Sequence, residues 1–185
     1  MPATQLRAAQ HKSQPWKNGL GVSQIIADCP QGAGFDAVLW QVGSTKIAAD
    51  CPFSSLPGLD RLFMVLEGAG VELTCIDEMS GKIIRARIDM LRTLFAFRGD
   101  WRTTCRLLGG PVRVFNVITR RGRANAQVGF SSERTLKKAA GETLLVVALG
   151  TLDAWLLADA QEETWTLPSL AAERVALVRI RASVS

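Results

Sequence analysis

Three observations predict an all-β protein. Short runs of alternating or β-branched residues recur at close spacing. Gly, Pro, Asp and Asn punctuate them. Few windows place apolar residues at the i, i+3, i+4, i+7 spacing of an amphipathic helix. Many short strands without intervening helices build a sandwich or a barrel, not a doubly wound sheet.

In chain order, strands are expected over 22–28, 37–43, 61–67, 71–76, 82–87, 93–97 and 101–108. Further strands are expected over 112–119, 127–130, 143–148, 153–158 and 174–181. The run from Arg174 to Arg181 is the clearest, with apolar residues in the middle and arginines near the ends, as in a strand packed on a core. Leu66-Glu67-Gly68-Ala69-Gly70-Val71 reads as a hairpin, because its glycines allow the positive φ angles of tight turns. Phe53-Ser54-Ser55-Leu56-Pro57-Gly58 reads as an ordered loop. A soft division falls at Leu108-Gly109-Gly110-Pro111, and a charged connector at Arg120-Arg121-Gly122-Arg123.

At 185 residues the chain can hold one large domain or two small ones. Its 48% hydrophobic and 21% charged content suits a packed core. No apolar run approaches the roughly 20 residues of a membrane helix; the longest, Leu144–Leu149, suits a buried strand. The first residues lack the pattern of a secretory signal, so a cytoplasmic location without membrane attachment is expected. Cys29, Cys51, Cys75 and Cys105 form no Cys-x-x-Cys pair and are expected as free thiols. Sixteen arginines and six lysines give a formal charge of +5, which admits anionic partners without choosing among them.

Histidine is the informative shortage. His11 is the only one, so a site of three imidazoles cannot be built within one chain, and no metal or other cofactor is expected. A Ser-His-Asp or Cys-His arrangement would have to use His11 as well. No nucleophile elbow or phosphate loop is present. The carboxylates Asp36, Asp60 and Glu67 remain as candidate acids, and Asp60 reads best as the ion-paired neighbour of Arg61.

Three segments join glycine-rich or aromatic turns to basic or amide groups, and together could line a concave site. They are Pro15-Trp16-Lys17-Asn18-Gly19-Leu20-Gly21, then Phe53 to Arg61 followed by Leu66-Glu67-Gly68, then Gly110 to Gly122. In this order and spacing they resemble the HutD/Ves family. Its pattern has Trp, a basic residue, Asn and glycines, then Phe-Ser-x-Phe-Pro-Gly-x-x-Arg, a Leu-Glu-Gly turn and an Asn-Val-Met-x-Arg-Arg-Gly-like stretch. This sequence departs from it at Leu20, at Ser23-Gln24-Ile25 and at Val114.

The resemblance implies a bicupin of two packed antiparallel β-barrels of the RmlC-like cupin type. The division above would then give an N-terminal cupin-like barrel over 1–110 and a smaller one over 111–185, with strands exchanged between them. It also implies a link to histidine utilisation and a small carboxylate ligand of the urocanate or formylglutamate class. The ligand-binding candidates are Trp16, Lys17, Asn18, Arg61 and Asn116. Arg61 offers a planar fork for a carboxylate and Lys17 a point charge. Asn18 and Asn116 can orient a ligand, and Trp16 can cover its apolar part. Each has a structural alternative: a core Trp, a solvated Lys, a turn Asn, an Arg paired with Asp60 or Glu67, and an Asn bound to backbone.

Metal-free binding or regulation by a small anion is therefore the leading function. The alternatives are a cupin isomerase or lyase using carboxylates and Lys17, and a basic nucleic-acid-binding regulator using Arg120, Arg121 and Arg123. Nucleic acid is disfavoured, because the tryptophans are not interleaved with the basic cluster. A homodimer is left open.

Overall fold

The computed structural model describes residues 3–90, 93–158, 160–168 and 175–183. Their regular structure is seventeen β-strands and one short 3-10 turn, Ala8–Gln10, with no α-helix among them. The strands are β1 (Thr4–Leu6), β2 (Lys12–Pro15), β3 (Val22–Cys29), β4 (Trp40–Ile47), β5 (Cys51–Pro52), β6 (Leu59–Glu67), β7 (Val71–Asp77), β8 (Lys82–Ile88) and β9 (Phe95–Arg98). They continue with β10 (Arg102–Leu107), β11 (Val112–Arg120), β12 (Ala124–Ser131), β13 (Thr135–Lys138), β14 (Thr143–Ala148), β15 (Ala154–Leu157), β16 (Glu163–Thr166) and β17 (Val175–Ala182).

The contacts divide the chain into two compact units, Lys12–Arg121 and Met1–His11 with Gly122–Ser185. In the first, a six-stranded sheet runs β2-β3-β4-β11-β6-β9 and a four-stranded sheet runs β5-β10-β7-β8. Phe63, Val65, Val112 and Val114 of the larger sheet share one core with Val71, Leu73, Cys75 and Cys105 of the smaller. In the second unit a five-stranded sheet, β1-β15-β14-β17-β12, shares its core with the pair β13-β16. All the strand pairings are antiparallel. Among the described residues no sheet closes on itself, so each unit is a pair of open sheets.

The division expected between 110 and 111 is not where the contacts break. Val112–Arg120 pairs along its length with β4 on one side and β6 on the other, at the middle of the larger sheet. The break follows at Arg121/Gly122, in the expected charged connector, where Gly122 takes a φ of 74°. The expected hairpin at Leu66–Val71 is also different. β6 pairs with β9 and β11 while β7 pairs with β8 and β10, so the turn carries the chain between sheets. Its glycines are still required: Gly68 and Gly70 have φ of 97° and 108°, and a Cβ on either would meet the carbonyl oxygen of Pro111 or Ile88 at 2.7 or 2.6 Å.

Each of the expected strands has a counterpart, although β4 begins and ends later than 37–43. Arg174, at the start of the last expected run, lies outside the described residues. The four cysteines are unpaired, as free thiols.

Candidate ligand-binding cavity

The inner face of the larger sheet is laid out in levels by strand register. Because side chains alternate, residues paired across strands point to the same face. At the first level Gln41, Ile118, Arg61 and Phe97 are cross-strand partners in turn. At the second come Ile25, Gly43, Asn116 and Phe63, and at the third Ser23, Thr45 and Val114. Nearly all of these face one cavity, which Trp16, Phe35, Phe53, Ser54 and Leu56 complete from the loops. The space that these side chains line is in part open to solvent. Gly43 keeps the second level open, since even a Cβ there would meet the Gln24 carbonyl oxygen at 2.9 Å.

Arg61 is the dominant charge. It is 8% exposed, and its Cζ lies 4.9 Å from the ring centroids of both Phe53 and Phe97. Cation–π attraction offsets part of its desolvation. Neither carboxylate expected to pair with it does so. Asp60, the next residue, points to the other face and accepts from Arg121 at 2.7 Å, while Glu67 pairs with Arg113 at 3.3 Å. The Nε–H of Arg61 and the Oδ1 of Asn116 are both buried without a hydrogen-bond partner. Burial pulls the Arg61 pKa down to about 10, against a smaller opposing pull from the Cys75 thiol, so the guanidinium stays charged at neutral pH.

The far end of the cavity is polar but satisfied. The Trp16 indole N–H donates to Ser23 Oγ at 3.0 Å, and Ser23 and Thr45 share a hydroxyl–hydroxyl bond of 2.6 Å. Gly21 lets the indole lie flat on the turn, because a Cβ there would meet the ring at 2.9 Å. An edge-to-face contact joins Trp16 to Phe53 at 6.1 Å.

Of the five residues expected at the site, Trp16, Arg61 and Asn116 line the cavity; Lys17 and Asn18 do not. Lys17 projects outward and lies 3.8 Å from Asp36. Asn18 is used by the loops: its Nδ2 donates to Pro52 O, its Oδ1 accepts from Leu20 N–H, and its own N–H donates to Ser54 Oγ. Their neighbour Gly19, at φ 72°, supplies the left-handed residue that turns the chain. The sequence reading missed Gln41, Gly43, Thr45 and Ser23. For Gln41, Gly43 and Thr45 the signal was the period-two placing of small or polar residues along β4, obscured because that strand was expected to stop at Gly43; Ser23 lies on β3.

The basic cluster is largely committed elsewhere. Arg120 donates to the carbonyls of Val38 and Phe35, and Arg121 to Asp60, Asp100 and the Leu59 carbonyl. Among the described residues no three His, Cys, Asp or Glu side chains gather as a metal site would require.

A family model described as HutD matches residues 8–181. The chain belongs to the HutD family. An uncharacterised 21.2 kDa protein in the hutC 3′ region of Pseudomonas putida is 32% identical over 77% of this chain and 72% of its own length. Protein Ves of Cronobacter sakazakii is 28% identical over 78% of this chain and 74% of its own. A solved structure of HutD from Pseudomonas fluorescens SBW25, in a formate condition, aligns with a TM-score of 0.77 and 26% identity, covering 98% of this chain and all of that one. A conserved protein of unknown function from Pseudomonas aeruginosa PAO1 aligns at 0.82 and 27%, over 98% and 100% of the two chains. An oxalate decarboxylase, at 0.57 and 6%, covers 99% of this chain and 78% of that one and shares the cupin-like fold alone. This HutD-family chain is thus all-β and cupin-like, and no helix in it is long and apolar enough to cross a membrane among the described residues.

Proposed function

We propose that the cavity of the Lys12–Arg121 unit binds a small carboxylate without a metal, and that the chain acts as a binding or regulatory protein. The observation that carries this reading is Arg61: a buried cation with no carboxylate partner among the described residues, facing a cavity that opens to solvent. A buried unpaired charge is costly, and an anion that accepts a charge-assisted bond from the Nε–H and Nη–H edge offsets that cost. The orphan acceptor of Asn116, one level away, selects a ligand that also carries an N–H or O–H donor. Formate, present in the condition of the P. fluorescens HutD structure, is the smallest probe of the Arg61 contact.

Binding is favoured over turnover by the lining itself. No described residue of the lining is Asp, Glu, His or Lys, so the cavity offers no group that titrates near neutrality for general acid–base work. Lys17, the base an isomerase or lyase would draw on, faces away. Salt-dependent nucleic-acid binding is less favoured, since two of the three arginines it would use, Arg120 and Arg121, make internal bonds. Membership of the HutD family directs the choice of ligand to histidine-utilisation carboxylates, urocanate or formylglutamate in class, and the two units are read as two cupin-like modules.

The test is a thermal-shift screen of small carboxylates, followed by calorimetric titration of the best one. A ligand at about 100 times its dissociation constant adds about 2.7 kcal/mol. Arg61→Lys keeps the charge but loses the fork, and is expected to weaken binding roughly tenfold; Asn116→Ala is expected to weaken donors-bearing acids only. Unchanged affinity in both variants rejects the site.

A further inference from the structure

Phe35 enters the cavity from outside the sheet. It sits in the connection from β3 to β4, where Ala33 N–H bonds to Pro30 O at 3.1 Å and Val38 N–H to Gly34 O at 2.9 Å. Its ring packs on the cluster of Val38, Leu56, Leu59 and Ile118. Two of these, Leu56 and Ile118, also line the cavity, and Ile118 is the cross-strand partner of Arg61. The ring therefore stands at the level of the sheet from which Arg61 and Ile118 project, while the guanidinium itself lies against Phe53 and Phe97. Phe35, Leu56 and Ile118 form the cavity wall at that level.

One side chain holds this wall. Arg120, the last residue of β11, donates from Nε to Val38 O at 3.1 Å and from Nη2 to Phe35 O at 2.7 Å. Its backbone N–H donates to Leu39 O at 2.7 Å. A planar guanidinium spanning two carbonyls three residues apart fixes the backbone on both sides of that interval, which a single ammonium does less well. The neighbouring Lys17–Asp36 pair is exposed and adds little.

We propose that Phe35 is a specificity-determining residue, held by Arg120 as a positioning residue, and that it restricts the cavity to acids unbranched next to the carboxylate. The inference rests on the carboxylate reading of the cavity. Removing the ring opens that wall of the cavity, and the selectivity between branched and linear acids then changes.

Calorimetric titration of the full chain with formate, pentanoate and 2,2-dimethylpropanoate tests this. The two larger acids are isomers, with the same charge and atoms, and differ only in branching. Wild type is expected to prefer pentanoate by about tenfold or more, as a well-packed pocket does for misplaced methyl groups. Phe35→Ala is expected to bring the two within about threefold, and to lower the melting temperature because the ring packs on Val38, Leu56, Leu59 and Ile118. Arg120→Ala narrows the ratio in the same way, Arg120→Lys partly restores it, and Phe35→Leu falls between. A Phe35→Ala or Phe35→Leu protein that keeps the wild-type ratio overturns the inference, as does a wild type that binds both isomers equally. Failure of the carboxylate reading looks different: no acid binds wild type, or Arg61→Lys leaves pentanoate affinity unchanged, and the inference then falls with it.

Discussion

Arg61 trades stability for a site. Its charge is buried between two phenylalanines and lacks a carboxylate among the described residues, so the unliganded fold bears a desolvation cost that cation–π contact only partly offsets. Arg61→Met is therefore expected to stabilise the free protein by roughly 1 kcal/mol while abolishing carboxylate binding, and melting with and without ligand reads both effects. A free protein that is destabilised by this change contradicts the assignment. The pH dependence follows from the same burial. A base with a depressed folded pKa leaves the unfolded chain holding more protons, so stability rises as pH climbs from the folded value, about 10, toward the ordinary arginine range. Binding is accordingly expected to be flat through the neutral range and to weaken only as the pH nears 10; a steep fall near neutrality in calorimetry points to another group. The sequence made Arg61 legible because it follows a rigid Pro-Gly loop at the start of a strand. Lys17 and Asn18 were misplaced because a loop can aim its side chains in any direction, and only tertiary contacts decide.

At the scale of elements, the loops round the cavity are tied by side chains more than by their own turns. Arg121 joins the start of β6 to the turn at Asp100 and to the end of β11, through Asp60, Asp100 and the Leu59 carbonyl. Burial alone would raise the Asp100 pKa, but the bonds from Arg121 and from Gly58 N–H outweigh it and hold it below 3.8. A carboxylate with a depressed folded pKa contributes stability above its unfolded value and loses it as pH falls through the folded one. Asp100→Asn is expected to cost less than about 1 kcal/mol at neutral pH, given its exposure, with the gap to wild type closing below pH 3.8 in thermal melts. A gap that persists in acid would assign the loss to packing. Strand positions were legible because alternation is local. The short strands β1, β2, β5, β13 and β16 were not, since Lys12-Ser13-Gln14-Pro15 and Cys51-Pro52 carry no periodic apolar signal and exist only through their partners. The Leu66–Val71 turn shows the same limit: its glycines announce a turn, but which sheet receives the next strand is decided by non-local pairing.

For the whole molecule, the chain begins and ends in one unit and completes the other between them. The strand Val112–Arg120, central to the cavity unit, follows a Gly-Gly-Pro segment that looks like a boundary in sequence, because local turn chemistry does not distinguish a turn within a sheet from a linker. The cavity, its aromatic walls and Arg61 all belong to Lys12–Arg121, which has its own core. That segment alone is expected to fold as a β-protein and to bind formate within about threefold of the full chain, a difference of under 1 kcal/mol; circular dichroism and calorimetry check both. The central claim is that the unpaired Nε–H of Arg61 receives a carboxylate. Its most direct measurement is the nitrogen–proton NMR signal of the arginine Nε groups during titration with formate, the Arg61 signal being identified by its loss in Arg61→Lys. That signal is expected to move and saturate with the dissociation constant found by calorimetry. An Arg61 signal that stays fixed while calorimetry records formate binding would contradict the account.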